Sequence, residues 1–267
     1  MIHAIYVIHK TSGLNIYKRF QGDISINENL FSGFISALFT FIKEVSHKTI
    51  ERVTMDEQVL LLHETDNCIL SALIDLEESC ISVKNKLIAL GSYIEHNYTK
   101  ETLDNWTGDL GIFHELDSLV DSLFFKNVVF DKLSSVKKYL DLLDTLPDIS
   151  VYGLLSTNGD FIFLSQDNRD IRILVAQSFD SLVSNDMYLN HRSIDKHEGT
   201  HILHTKHGSL IFTGVNDEVV LFTLNTNEKT LGLALTLVEK VASRIEYTLQ
   251  IEKKSKNEFV LPMGVNK

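Results

Sequence analysis

One succession of patterns runs from Met1 to Asn105 and recurs, without sequence identity, from Ile149 to Gln250: strand, strand, helix, three strands, helix. A doubled ββαβββα order constrains the fold more than any single motif, because each copy supplies a sheet and the helices needed to cover it. In MIHAIYVIHK, Ile2, Ala4, Tyr6 and Ile8 face one way, while His3, Ile5, Val7 and His9 give a mixed second face. A Thr11-Ser12-Gly13 turn leads to LNIYKRFQ, which pairs antiparallel through so short a connection. In NLFSGFISALFTFIKEV, Leu30, Phe31, Phe34, Ile35, Leu38, Phe41, Ile42 and Val45 read as one helical stripe lying on the sheet, with Phe39 off it, either on the flank of the core, the commoner case, or half exposed. Extended runs near TIERVTM, QVLLLHET and CILSALIDL follow, and residues 81–98 return to helical spacing through Val83, Leu87, Leu90 and Ile94.

The second copy is preceded by KLSSVKKYLDLLDTL, a helical stripe of Leu133, Val136, Leu140 and Leu143 stopped by Pro147. VYGLLST and DFIFLSQ flank Asn158-Gly159, the strongest hairpin signal in the chain. A helix over 169–185 comes next, then strands near THILHTK, SLIFTGV and EVVLFTL, and a final helix from about Thr230 to Ile251.

The helix LFSGFISALFTFIKE after two opening strands resembles the first helix of longin-like domains. The later αββαβββα order, with its last helix entered through NTNEKTLGLALTLVEK, is similar to the roadblock/dynein light chain family. The expected fold class is therefore α+β, two tandem antiparallel-sheet domains. A longin-like domain is expected at 1–110, a packed connector at 111–130, a roadblock-like domain at 131–253 and a flexible tail at 254–267. The resemblance implies a noncatalytic adaptor that binds a Ras-like small GTPase, or forms a homo- or hetero-dimer with another roadblock or longin protein. A small-molecule sensor is a competing reading, because sheets of this layout capped by helices also resemble ligand-holding sensory domains.

Composition fits two ordinary globular domains, with 267 residues, 44% hydrophobic and 23% charged. A formal net charge of −11 opposes nucleic acid and anionic lipid as nonspecific partners. No apolar run approaches the ~20 residues that span a bilayer. The pattern reads as cytoplasmic, with membrane recruitment only through partners. Cys68 and Cys80 read as free thiols.

The sharpest catalytic motif is His197-Glu198-Gly199-Thr200-His201. In zinc hydrolases H-E-x-x-H works because its two histidines share one helix face and bind the metal while the Glu acts as base. Here Gly199 and the alternation that follows indicate a hairpin, which would separate the two histidines. His197, His201 and His204 are thus weak metal candidates, and neither a cofactor nor a catalytic residue is expected. No P-loop, G-x-S-x-G elbow or G-x-G-x-x-G after a strand is present. Partner contacts are expected instead at Ile173, Gln177 and Asp180 on the 169–185 helix, at Phe39, and at Leu233 and Leu237. With Val241, those two leucines form a second apolar stripe on the final helix.

Overall fold

The computed structural model describes residues 1–21, 28–47, 49–106, 110–125, 132–190 and 199–258. Two compact units emerge from it, Met1–Asn127 with Arg169–Asp180, and Val128–Asn168 with Ser181–Lys267.

In the first unit β1 (Ile2–His9), β2 (Asn15–Phe20), β3 (Arg52–Met55), β4 (Gln58–Glu64) and β5 (Cys68–Asp75) form an antiparallel sheet ordered β2-β1-β5-β4-β3. Every residue of β1 is buried, because helices lie on both faces of the sheet. Ala4, Tyr6 and Ile8 share one core with Ile35 and Phe39 of α1 (Glu28–Ser46). Ile5 and Val7 share the other with Val83, Leu87, Leu90 and Ile94 of α2 (Cys80–Asn97), the stripe its helical spacing marks out. The mixed face expected for β1 is thus a buried one. His3 and His9 are buried at its two ends, where His3 Nε2 meets Asp75 Oδ1 at 2.5 Å and His9 Nδ1 meets Ser12 Oγ at 2.9 Å.

The short helix α3 (Lys100–Asp104), a 3₁₀ turn at Leu110–Phe113, α4 (Glu115–Val120) and a π turn at Asp121–Phe125 follow. They add Leu103, Phe113, Leu116, Val120 and Phe124 to the core beneath α2, so the described part of the expected connector belongs to the packing of this unit. Tyr17 on β2 donates to Asp117 at 3.0 Å, and burial together with that carboxylate pushes its phenol well above the usual range.

The second copy of the element order repeats the layout, with the first part of its α6, Arg169–Asp180, belonging to the first unit. α5 (Leu133–Leu140) and a 3₁₀ turn at Asp141–Thr145 lead to β6 (Ile149–Ser156), β7 (Phe161–Leu164), α6 (Arg169–Asn190), β8 (Thr200–Thr205), β9 (Gly208–Gly214) and β10 (Val219–Asn225). Its sheet order is β7-β6-β10-β9-β8, again antiparallel. The Asn158-Gly159 hairpin forms as expected, with Gly159 at φ 95°. Gly153 faces Phe222 on β10, and a Cβ there would run into the Phe163 carbonyl oxygen and sit 2.6 Å from the Phe222 ring. Only glycine permits that approach.

The final helix α7 (Leu231–Glu258) extends past the expected end at Ile251, so part of the expected tail is helical; residues 259–267 lie outside the described residues. Ala234, Val238, Val241, Ala242, Ile245 and Leu249 of α7 pack with Val136, Leu140 and Leu143 and with the β6, β9 and β10 side chains. Residues 133–145 therefore form a cover for α7.

Candidate functional site

Asp180 of α6 is the most engaged of the residues expected to meet a partner, and what it meets is α2. A helix begins with N–H groups that have no acceptor within the helix, and it favours negative charge near them. α2 has no acidic residue in its first turn. Asp180 supplies that charge: its carboxylate accepts from Ser79 Oγ at 2.6 Å, from the Cys80 N–H at 2.8 Å and from the Ile81 N–H at 3.5 Å. Ser79, the N-cap, in turn accepts from the Ser82 N–H at 3.1 Å. The first N–H groups of α2 are thus taken by one relay through hydroxyl and carboxylate.

Burial pushes the Asp180 carboxyl above the usual carboxylate range, although these hydrogen bonds and the Arg52 charge pull the other way. At the start of α6, Arg169 reaches Glu57 at 3.0 Å and Glu77 at 3.1 Å. Asp180 is a capping group rather than an open contact. Of its expected companions, Gln177 is exposed and Ile173 half-buried, while Val175, Ala176 and Phe179 are the buried side chains of the segment.

Phe39 requires a correction. It is 3% exposed, packed with Tyr6, Ile8 and Ile35, and offers no surface. The helix is rotated relative to the expected stripe, so that Ser32, Ile35 and Phe39 face the sheet while Leu30 (72%), Phe34 (49%), Phe41 (62%) and Val45 (66%) face solvent. Sequence reasoning placed these four in the core. The signal that could have found them is the absence of any charged residue from Asn29 to Ile42, which a helix with an ordinary solvated face does not show. Rotation is fixed at the far end by Lys43, which donates to Glu64 of β4 at 2.9 Å; Lys10, in the turn after β1, pairs with the same carboxylate.

On α7 the expected second stripe divides. Val241 belongs to the core, Leu237 packs partly against it, and Leu233 alone stands out, 64% exposed.

His197 and Glu198 lie outside the described residues. His201 is on strand β8, not on a helix, so it cannot share a helix face with a residue four positions earlier. His204, three residues along the same strand, pairs its Nδ1 with Ser209 Oγ at 3.0 Å. Among the described residues no group of three His, Cys, Asp or Glu side chains is placed to hold a metal ion. Both cysteines are free, and burial pushes the Cys68 thiol up to about 12 and that of Cys80 up to about 11, well away from nucleophilic use.

Each unit carries an open cleft. One, of about 600 Å³, is lined by Arg19, Phe20, Gln21, Ser118, Asp121 and Phe125, with Arg19 and Asp121 ion-paired at 3.0 Å. The other, of about 540 Å³, lies among Tyr139, Lys240, Ser243, Arg244 and Tyr247. Among the described residues no helix is long and apolar enough to cross a membrane.

Among solved structures the chain is similar to a Roadblock/LC7 domain from Streptomyces avermitillis, with 16% identity, 41% of this chain and 95% of that chain covered, and a TM-score of 0.33. No protein-family model matches the chain, and no curated protein matches it. A likeness that loose leaves the architecture resting on the strands themselves: an α+β fold with two antiparallel five-stranded sheets laid out in one order.

Proposed function

We propose that the chain is a noncatalytic adaptor, a longin-like domain at 1–110 followed by a roadblock-like domain at 131–253, which binds a Ras-like small GTPase, dimerises through its longin and roadblock surfaces, or does both. The observation that carries this reading is the placement of large apolar side chains on outward helix faces of a repeated fold, at Leu30, Phe34, Phe41 and Val45 on α1 and at Leu233 on α7. Surfaces of that kind serve protein partners.

The chain has no P-loop of its own, so nucleotide chemistry belongs to the partner. Its part is differential affinity for the partner's GDP and GTP states, which shifts their populations. Membrane recruitment follows the partner as well. Pull-downs against small GTPases loaded with GDP or a GTP analogue test the proposal: preferential retention of one nucleotide state supports it. Failure to retain any of them, by a chain that is strictly monomeric, sinks it.

A further inference from the structure

We propose that the outer face of α1 is the contact surface of a symmetric dimer, on which a second copy of this chain lays its own α1 antiparallel. The exposed side chains follow the order Leu30, Phe34, Ala37, Phe41, Val45. Stepping at 100° per residue, they fall in one narrow band opposite Ile35 and Phe39, the side chains that hold α1 to its sheet. A single outward leucine is ordinary, but a contiguous apolar band along a helix is not.

The order of the band selects the occupant. Measured from the point between Ala37 and Leu38, Leu30 lies as far to one side as Val45 to the other, and Phe34 as far as Phe41. In a two-fold interface, whatever residue i meets in the partner must meet residue i of the partner in return. An antiparallel pair of α1 helices crossing at Ala37 meets that condition throughout, with Phe34 on Phe41 of the second copy and Leu30 on Val45. Ala37 is small, and a Cβ added at Gly33 would touch nothing within 4 Å, so the helix axes can approach to the ~8–10 Å of a packed pair.

One charge, the exposed Glu44 seven residues after Ala37, stands at the edge of the band, where a place at the rim leaves it solvated. Thr40 turns its hydroxyl back to the Ser36 carbonyl at 2.9 Å, Ser46 does the same to Ile42 at 2.7 Å, and Lys43 is drawn aside to Glu64. The band is roughly 22 Å long at 1.5 Å per residue. With aromatic side chains that bury ~150–250 Å² each when fully covered, it supplies on the order of 500 Å² per copy. A standard interface uses about 800 Å² per partner, so α1 contributes more than half of one, and the dimer is expected to be reversible and concentration-dependent.

This surface names one partner of the adaptor reading but does not depend on the GTPase. Sedimentation equilibrium of the full chain over a wide concentration range should show monomer and dimer, and Phe41→Glu should be monomeric throughout with the thermal melt of dilute, monomeric wild type, since Phe41 lies outside the core. Under mild oxidation Ala37→Cys should link to its own copy. Leu30→Cys alone should not, whereas Leu30→Cys mixed with Val45→Cys should. A wild-type chain that stays monomeric, a dimer that survives Phe41→Glu, or efficient self-linking of Leu30→Cys each overturns the proposal. Retention of GTPase binding by Phe41→Glu would separate the two activities, and its loss alone leaves the dimer test standing.

Discussion

α1 and α6 hold the same place in the repeated order, each after two strands and before three, yet their surfaces differ in kind. α1 carries no charge from Asn29 to Ile42, buries Phe39 and turns Phe34 and Phe41 to solvent. α6 opens with Arg169 in ion pairs to Glu57 and Glu77 and sets the Asp180 carboxylate against the first turn of α2. The strand order is identical in the two units, so it is not the source of the difference. A repeated sheet fixes where a helix must lie, and leaves what that helix shows the outside to its own sequence. On the adaptor reading proposed above, function in such a fold is to be sought on the helix exteriors.

The largest effect that would sharpen this contrast comes from Phe39 and Phe41, two residues apart on one helix. Phe39→Ala empties a site between α1 and the sheet and should cost about 3–5 kcal/mol in urea unfolding. Phe41→Ala, measured at concentrations low enough to keep the chain monomeric, should stay within about 0.5 kcal/mol of wild type. Equal costs would mean that α1 does not have the two faces described. On α6 the corresponding pair is Phe179, which is buried, and Gln177, which is exposed, and the same split is expected there.

The order of elements was legible because it rests on strand alternation and on punctuation such as Asn158-Gly159, both local properties of the chain. The rotation of α2 was legible too, since Val83, Leu87, Leu90 and Ile94 recur at helical spacing and Lys84, Asn85, Lys86, Glu95 and His96 mark the other side, with Ile88 the one large apolar side chain left exposed. α1 was not, because a helix apolar around most of its circumference gives no unique stripe, and the choice between Phe39 and Phe41 is made by the sheet and by Lys43 reaching Glu64. The role of Asp180 was out of reach for a different reason. The groups that donate to it, on Ser79 and Cys80, are about a hundred positions away, and no spacing rule links a carboxylate in one helix to the start of another.

That capping arrangement gives the next effect in size. Asp180→Ala leaves the Cys80 N–H and the Ser79 hydroxyl without their acceptor and should cost roughly 1–3 kcal/mol. Ser79→Ala removes the N-cap and should cost about 1 kcal/mol. Because both act on the same turn of α2, the double variant should cost less than the sum. Strict additivity in a double-mutant cycle would show that the two residues stabilise α2 separately, and the relay described here would not hold.

The smallest effect distinguishes the two helices by pH. Glu64, which fastens Lys43 of α1, is pushed up by burial, but hydrogen bonds from Lys10 and Lys43 outweigh this and hold it below the usual carboxylate range. A depressed native pKa means that the unfolded chain takes up the proton first, so this contribution is present above the unfolded value of about 4.3 and is lost as pH falls through the native one. Asp180 has the opposite sign. Burial raises it, the native state takes up the proton first, and its contribution is present below the unfolded value of about 3.9 and is lost as pH rises through the native one. Titrating the urea midpoint of wild type, Glu64→Gln and Asp180→Asn from neutral to acid pH should therefore give two difference curves of opposite slope. Curves of the same sign would mean that the carboxylates at α1 and α6 sit in like environments, and the contrast between the two helices would then be one of apolar surface alone.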